Sequence, residues 1–316
     1  MTKSATIYQT FLGFDVGKET IAVHDSATRR DHVIANKAAD LRHFVKAYGP
    51  GTYAICEATG GYENILLERL LAANITAHRG DARKIKAFIR SFGVQAKTDA
   101  IDARSISNYG RERHATLAVW QARSKVQVEL QALAHRRADL VDMRTAEKNR
   151  AQAPGPGIVQ ASCTRMIRHL DKQIDAIEHE MDNRIAGNEE SGRTVQCARA
   201  MIGVGPTVST ALCAFMPELG RLTRRQAAAL AGVAPHPRDS GAMKGYRKTI
   251  GGRPHIRRLL FMAALSARRH DKNMRAFFDR LVANGKKLMV AMTAIMRKMI
   301  VILNAKVRDE RLLKQS

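Results

Sequence analysis

The first 115 residues alternate short apolar runs with amphipathic segments. Three short runs rich in apolar and β-branched residues, at 11–16, 20–25 and 31–36, predict three strands in an antiparallel meander. After them the period of the pattern switches between two and about 3.6 residues. It predicts, in order, a helix over 38–48, a strand at 53–56, a helix over 62–73, a strand at 75–78, a helix over 82–91 and a helix from about 99 to 112.

The middle of the chain, 116–190, has helical periodicity throughout. Residues 123–150 are rich in helix formers, and the segment Ala-Pro-Gly-Pro-Gly at 153–157 must end that helix. A second helix follows, with apolar residues three or four apart, as in a coiled-coil seam. We predict a coiled-coil arm that supports dimerisation, with a strut folded back within the chain as the alternative. The apolar residues of the second seam are Ile167, Leu170, Ile174, Ile177, Met181 and Ile185.

The last part, 191–316, reads as mostly helical, with a Gly-rich turn between two helices at 202–207. This Ile-Gly-Val-Gly-Pro-Thr turn resembles a helix-hairpin-helix element. Gly203 and Gly205 would let backbone N–H groups approach a phosphate, and the next helix N-terminus adds a favourable dipole. A purely structural turn is the alternative, and the basic surroundings favour phosphate contact.

The net charge differs among the same three parts of the chain. The net charge is +5 over 1–115, zero over 116–190 and +19 over 191–316, within a total of +24. So basic a segment indicates a polyphosphate partner, because Lys and Arg displace the counterions condensed on nucleic acid. An anionic membrane surface and simple solubility are the alternatives. With no signal-peptide pattern and no uncharged apolar run of about 18 residues, we expect a cytoplasmic protein that is not membrane-bound.

Four acidic residues stand at predicted strand ends or at a helix start in the first part. Asp15 and Glu57 end two strands, while Asp99 and Asp102 lie three apart at the start of one helix. The element order is typical of an RNase H-like α/β domain, in which strand ends meet at one edge of the sheet. Oxygen ligands of this kind suit Mg²⁺. An Asp in the first turn of a helix is common merely because its negative charge interacts favourably with the helix dipole. The set of four acids in this order nevertheless favours metal binding.

A second chemical candidate is Ser240, in a loop of the basic part. Taken alone, a Ser-Gly pair is an ordinary turn, and no His/Asp partner stands at a recognisable spacing to activate the hydroxyl. The surrounding cations suit a phosphodiester, so the sequence leaves a turn residue and a nucleophile both open. The cations expected to contact nucleic acid are Arg238, Lys244, Arg247, Lys248, Arg253, Arg257 and Arg258.

The motifs resemble those of a known family. GFDVGKE, EATGGYE and KTDAIDA resemble the DEDD motif of insertion-sequence transposases of the one-ten family, relatives of Piv-type DNA invertases. IGVGPTVSTAL, LAGVAPHPRDSGAMKG and IGGRPHIRRLLFMAAL resemble the transposase domain of that family, in the same order. The resemblance covers both ends of the chain, and only 116–190 lacks a matching motif.

The resemblance implies an architecture and a chemistry. It implies a RuvC-like DEDD domain at 1–115, a helical coiled-coil region at 116–190 and a basic transposase domain with the catalytic serine at 191–316. It also implies that Asp15, Glu57, Asp99 and Asp102 hold Mg²⁺ and that Ser240 attacks a DNA phosphate to form a transient phosphoserine link. The partners implied are donor DNA, target DNA, a structured guide (bridge) RNA and further copies of the chain, as a dimer or a tetramer.

Two other functions compete with this recombinase. A RuvC-like junction endonuclease would use metal-activated water and leave Ser240 an ordinary loop residue. A non-catalytic nucleic-acid-binding protein would use the acids structurally. The four acidic residues argue against the non-catalytic protein. The cation-rich Ser-Gly loop, together with the family resemblance, argues against the endonuclease.

Overall fold

The computed structural model describes residues 7–93, 98–237, 245 and 247–313, and the chain divides into two units, Met1–Arg123 and Ser124–Ser316. The division places the helical middle of the chain with the basic C-terminal part. Each unit has its own buried core.

The first unit is built on a sheet whose described strands lie in the order β3-β2-β1-β4-β5. The predicted meander is confirmed, because β1 pairs with β2 and β2 with β3 antiparallel. β1 and β4, and then β4 and β5, pair parallel. In chain order the elements are β1 (Thr10–Val16), β2 (Thr20–Asp25), β3 (Arg30–Ala35), α1 (Ala38–Val45), β4 (Thr52–Glu57), α2 (Asn64–Ala72), β5 (Thr76–Gly80), α3 (Ala82–Ser91) and α4 (Asp99–Arg113).

Side-chain alternation along β1 divides the core of the first unit into two layers. Leu12, Phe14 and Val16 face one side of the sheet and pack with the buried residues of α1 and α2. Phe11 faces the other side and packs with buried residues of α3 and α4. The single tryptophan of the chain, Trp120, packs against the first layer, as expected for a packing residue.

Two glycines allow α4 to lie directly on the sheet. A Cβ on Gly13 would stand 2.1 Å from the Ala103 carbonyl oxygen and 2.3 Å from the Ser107 backbone nitrogen. A Cβ on Gly110 would stand 2.0 Å from Cδ1 of Ile55. Ser107 Oγ also donates a hydrogen bond of 2.8 Å to the Phe11 carbonyl. The position of α4 along β1 and β4 is therefore fixed at several points.

The second unit is helical apart from a short two-stranded ribbon among its described residues. Its main core joins the ends of the first two helices to the buried faces of the later ones. The elements are α5 (Lys125–Gln152), α6 (Gly157–Ala186), α7 (Glu189–Arg199), α8 (Pro206–Phe215), α9 (Arg224–Leu230), β6 (Pro235–His236), β7 (Lys248–Thr249), α10 (Pro254–His270), α11 (Lys272–Ala283) and α12 (Leu288–Leu313).

The helices α5 and α6 form a hairpin within the chain. Leu140 packs with Leu170 and Ile174, and Arg137 pairs with Glu178 across the two helices. Met181 and Ile185 also contribute to the main core of the unit. Most of the apolar seam of α6 is thus buried within the chain, so a partner chain that packed on this hairpin would use its outer surface.

The last helix, α12, is long and apolar enough by length and composition to cross a membrane. Its apolar face is nevertheless occupied by the core of the second unit, where Ile295, Met299, Ile300 and Leu303 are buried. We read α12 as the central core helix of this unit, because burial against other helices explains its hydrophobicity.

Gly13→Ala tests the close approach of α4 to β1. The new methyl group would overlap the α4 backbone, so we expect the first unit to lose about 1–3 kcal/mol of unfolding free energy. Urea unfolding followed by Trp120 fluorescence reports on this unit. Gly51→Ala is the matched control, since no atom lies within 4 Å of its built Cβ. Equal stability of the two variants would contradict the described packing.

Candidate active site

Two neighbouring parallel strands carry Asp15 and Glu57 to one level of the sheet. Phe14 on β1 lies opposite Cys56 on β4, so the next residue on each strand is Asp15 and Glu57. Alternation places both on the side of the sheet covered by α4, since Gly13 faces that helix. Both residues are half-buried at the carboxyl ends of their strands.

The start of α4 carries the other two carboxylates. Thr98 caps the helix, with its hydroxyl accepting a hydrogen bond of 3.3 Å from the Ile101 N–H. Because Ala103 lies against Gly13, the preceding turn that holds Asp99 and Asp102 lies towards the end of β1. Asp99 and Asp15 line one cavity of about 260 Å³.

The electrostatics of Glu57 indicate a crowded acidic site. Burial is the largest cause that raises the pKa of Glu57 above its ordinary value, and the nearby Lys86 opposes it. The negative charges of Asp15, Asp102 and Asp81 raise this pKa further. Ionisation of Glu57 therefore carries a free-energy cost, which a bound cation would relieve.

The donor set fits a hard divalent cation in its chemistry, because all four side chains offer carboxylate oxygens. Across the described ranges, however, no three His, Cys, Asp or Glu side chains converge closely enough to form a ready-made metal centre. Four acids thus gather at one sheet edge without a closed coordination shell. Such a site suits a cation that also takes oxygens from a substrate phosphate.

Asp31 is a further carboxylate at this site, which the sequence pattern did not indicate. It lines the same cavity as Asp15 and Asp99. Asp31 accepts hydrogen bonds of 2.6 Å from His24 Nδ1 and 2.9 Å from Arg104. The bond from His24, followed by that from Arg104, lowers the pKa of Asp31. These contacts tie the first turns of α4 to β3 and use the oxygens of Asp31.

Glu63 organises the loop that follows Glu57. Its fully buried carboxylate accepts hydrogen bonds from Thr59 N (3.1 Å), Thr59 Oγ (2.9 Å) and Gly61 N (2.9 Å), and from Arg79 Nε (2.6 Å). Burial alone would raise the pKa of Glu63, but these bonds and its own backbone N–H outweigh burial and lower the pKa to about 2. The last residue of the EATGGYE motif is therefore an anchor of the loop.

Ser240, with Arg238 and Lys244, lies outside the described residues. The segment that contains them joins β6 to β7, whose pairing of Pro235 with Thr249 brings the flanks of the segment together. The structure therefore describes the base of this segment. The roles of these three residues stay predictions.

The other predicted nucleic-acid contacts have varied surroundings. Arg247 and Lys248 are exposed. Arg253 forms two bonds to Glu218, of 2.8 and 2.7 Å, and also donates to the Phe215 carbonyl. Its guanidinium thus links helices within the unit, and a phosphate would have to compete with Glu218 for it.

Arg257 and Arg258 are also engaged within the second unit. Arg257 donates to the carbonyls of Gly232 (3.4 Å) and Gly251 (3.2 Å), and Arg258 pairs with Asp142 at 3.0 Å. The pair with Asp142 joins α10 to α5 and is largely exposed, so it is weakly held. Contact of either residue with nucleic acid stays a prediction.

The Gly-rich turn has a packing reason for its first glycine. Gly203 has a φ of +93°, and a Cβ there would stand 2.5 Å from the Ala263 carbonyl oxygen. Gly205 is exposed, directly precedes α8 and has open space around its built Cβ. Only Gly205 is therefore placed for the approach of a ligand, and phosphate contact at this turn stays a prediction.

Comparisons with known proteins agree across most of the chain. The profile of DEDD transposases of the IS110 type matches residues 12–154, and that of the transposase IS116/IS110/IS902 family matches residues 195–279. A pilin gene-inverting protein of Moraxella bovis is 26% identical over 96% of this chain and 97% of that protein. An uncharacterized 42 kDa protein of insertion element IS900 from Mycobacterium paratuberculosis is 26% identical over 94% of this chain and 95% of that protein.

Glu63→Gln tests the loop anchor beside Glu57. Removing one member of a buried ion pair leaves Arg79 uncompensated, so we expect the first unit to lose about 3 kcal/mol of stability at pH 7. Because the folded pKa of about 2 lies below the ordinary value of 4.5, the stabilisation is present above that value and is lost as pH falls towards 2.

The measurement is urea unfolding followed by Trp120 fluorescence between pH 7 and pH 2. The gap between wild type and Glu63→Gln should narrow as the pH falls. Glu68→Gln, at an exposed carboxylate of α2, is the control and should leave stability unchanged. A gap that does not depend on pH would contradict the ionised anchor.

Proposed function

The chain belongs to the IS110-type transposase family, and from that premise we propose that it cleaves and rejoins DNA through a serine-linked intermediate. As a member of this family it is a DNA transposase or recombinase enzyme that acts on DNA. In the proposal, Ser240 is the nucleophile, and Asp15, Glu57, Asp99 and Asp102 hold Mg²⁺ in a RuvC-like domain.

The proposed Mg²⁺ site is supported most by the placement of two pairs of acidic residues at one edge of the sheet. Asp15 and Glu57 end adjacent parallel strands on the face covered by α4, and the first turn of α4 carries Asp99 and Asp102. The raised pKa of Glu57 is consistent with this arrangement. The mixed sheet, a meander followed by parallel strands, also supports the RuvC-like assignment.

The proposed chemistry balances without an external energy source. The Ser240 Oγ forms a bond to phosphorus while a phosphorus–oxygen bond of the DNA strand breaks, and the hydroxyl proton passes to the departing oxygen. In the reverse step the hydroxyl of another strand displaces Ser240 and restores its proton. A divalent cation would supply charge stabilisation at the phosphoryl oxygens. The four carboxylates would bind and orient that cation through their oxygens.

A structured guide RNA and a second copy of the chain complete the proposal. The net charge of +19 over 191–316 suits a domain that holds more than one polyphosphate. Base pairing to an RNA would supply sequence specificity, while the protein would recognise backbone shape.

The dimer would use the outer surface of the α5–α6 hairpin. Val128, Met143, Ile158, Val159 and Met166 are between 48% and 78% exposed there, although the inner seam of the hairpin is buried. Such a dimer offers a route to combine the metal half of one protomer with the serine half of another.

Binding of Mg²⁺ is tested without any DNA. We expect Mg²⁺ to raise the urea midpoint of the first unit, followed by Trp120 fluorescence, because the cation binds the folded carboxylates. The shift should shrink as pH falls through the raised pKa of Glu57, since a protonated carboxyl is a poor ligand. Asp15→Asn should abolish the shift.

Two variants sharpen the Mg²⁺ test. Glu57→Gln should make the metal-free first unit more stable, because it removes a carboxylate that ionises at a cost, and should also remove the Mg²⁺ response. Asp40→Asn, at an exposed carboxylate of α1, should behave as wild type. An undiminished Mg²⁺ shift in Asp15→Asn would rule out the metal assignment.

The serine intermediate is tested by trapping. After incubation with cognate DNA, RNA and Mg²⁺ and then denaturation, we expect DNA covalently attached to the wild-type protein. Ser240→Ala should remove the adduct because the attacking oxygen is gone. Asp15→Asn should reduce it at least roughly a hundredfold, an effect of the size of losing an electrostatic catalytic group. Ser162→Ala and Asp40→Asn are the matched controls.

Three further outcomes of the trapping experiment are informative. Cleavage by Ser240→Ala at the wild-type rate, without an adduct, would favour the junction endonuclease with metal-activated water. Adduct recovered on mixing Ser240→Ala with Asp15→Asn would support an active site shared between protomers. An equal adduct yield at the cognate site after complete removal of RNA would rule out RNA guidance.

A further inference from the structure

A groove in the second unit is lined by cations arranged around an aromatic ring. Its walls come from α11, from α12 and from the end of α7, and its volume is about 630 Å³. Arg280, Lys298 and Lys306 line it together with Phe277. The exposed Ile202 of the Gly-rich turn stands at its edge.

The ring of Phe277 holds two of these cations. Lys298 Nζ lies 4.7 Å and the Arg280 guanidinium carbon 5.5 Å from the centroid of the ring. A cation–π contact limits where a long side chain can go without neutralising its charge. Phe277 thus presents two full positive charges in the groove at defined positions.

The three cations of the groove form no ion pair with a carboxylate of the described residues. Over the described residues, no carboxylate lies within ion-pair distance of Arg280, Lys298 or Lys306. The acidic residue among the lining residues is Asp271, whose carboxylate accepts hydrogen bonds of 2.8 and 3.2 Å from the first turn of α11. Among the described residues that line the groove, three cations therefore stand beside one carboxylate, which already caps a helix, and Glu310 lies one helical turn beyond Lys306.

This arrangement differs from that of other arginines of the second unit. Arg253 and Arg258 are paired with Glu218 and Asp142, so their charges stabilise the unit itself. Like charges held together without a partner raise the free energy of the folded unit. Their repulsion would be relieved by an anion that spans the groove, and a repeating phosphodiester provides such a charge pattern.

We propose that this groove binds the phosphodiester backbone of a nucleic acid strand, with Arg280, Lys298 and Lys306 contacting phosphates and Phe277 orienting the first two. The inference rests on the proposed function in that the enzyme must hold nucleic acid. It assigns a backbone-holding surface made of residues other than those of the Ser240 segment. The groove would contact the phosphates of the strand and not its bases, so it would hold the strand without selecting its sequence.

Binding measured against salt concentration tests the groove. The groove variant carries Arg280→Gln, Lys298→Gln and Lys306→Gln. The probes are a duplex DNA, a single-stranded DNA and a single-stranded RNA of the same sequence. We expect the dissociation constant to rise at least roughly tenfold, and the slope of log affinity against log salt to flatten by about 2 to 3, because each lost cation removes one phosphate contact.

A matched control removes the same charge elsewhere in the second unit. It carries Arg224→Gln, Arg225→Gln and Lys286→Gln, at exposed positions outside the α5–α6 hairpin. We expect the control to keep the wild-type salt slope. The exchange Arg280→Lys, Lys298→Arg and Lys306→Arg should restore binding, and circular dichroism melting should show that all variants fold.

The outcomes separate the groove from the wider proposal. If wild type binds none of the three probes, the proposed function fails. If wild type binds but the groove variant and the control bind alike, the groove inference alone is overturned. A loss confined to RNA or to DNA supports the groove and identifies the polymer that it holds. Equal displacement of the probes by a poly-glutamate peptide would overturn the assignment to a phosphodiester.

Discussion

The close approach of α4 to β1 is the constraint on which the acidic site depends. At Gly13 the helix backbone lies where a side chain would otherwise stand, and Ser107 bonds to the Phe11 carbonyl beside it. Because a helix is stiff, fixing its middle also fixes its first turn. The packing in the middle of α4 therefore holds the carboxylates of its first turn near the strand ends. This packing offsets the mutual repulsion of the acids.

The acidic residues next to the site, by contrast, have their charges balanced by hydrogen bonds and ion pairs. Asp31 binds His24 and Arg104, and Glu63 binds Arg79 and the loop backbone. Their charges are matched, so their pKa values fall, whereas that of Glu57 rises. The acids of this unit therefore differ in what contacts them, although all are carboxylates from one region of the sequence.

The positive charges of the second unit also fall into two groups, those paired with a carboxylate and those without one. Arg253 and Arg137 are paired with carboxylates and join helices to one another. Arg280 and Lys298 are held by an aromatic ring and keep their charge available. Under the proposed function, the acidic residues of the first unit would hold a cation and the unpaired basic residues of the second would hold phosphates, and a reaction on DNA needs both.

The sequence by itself determined the order of helices and strands in the first unit, the antiparallel meander, the mostly helical second half and the choice of four acids as a candidate site, whereas the β6–β7 ribbon was not predicted. These follow from local periodicity and from residue chemistry, which neighbouring residues decide. The sequence did not indicate Asp31 as a neighbour of the site or the anchoring role of Glu63, and it left open whether the seam of α6 packs within its own chain or against another chain. Nor did it separate the paired Arg253 from Arg280 on Phe277. Only the tertiary structure decided these features, because burial and pairing depend on which segments pack together. Local sequence patterns do not show which residues far apart in the chain come into contact.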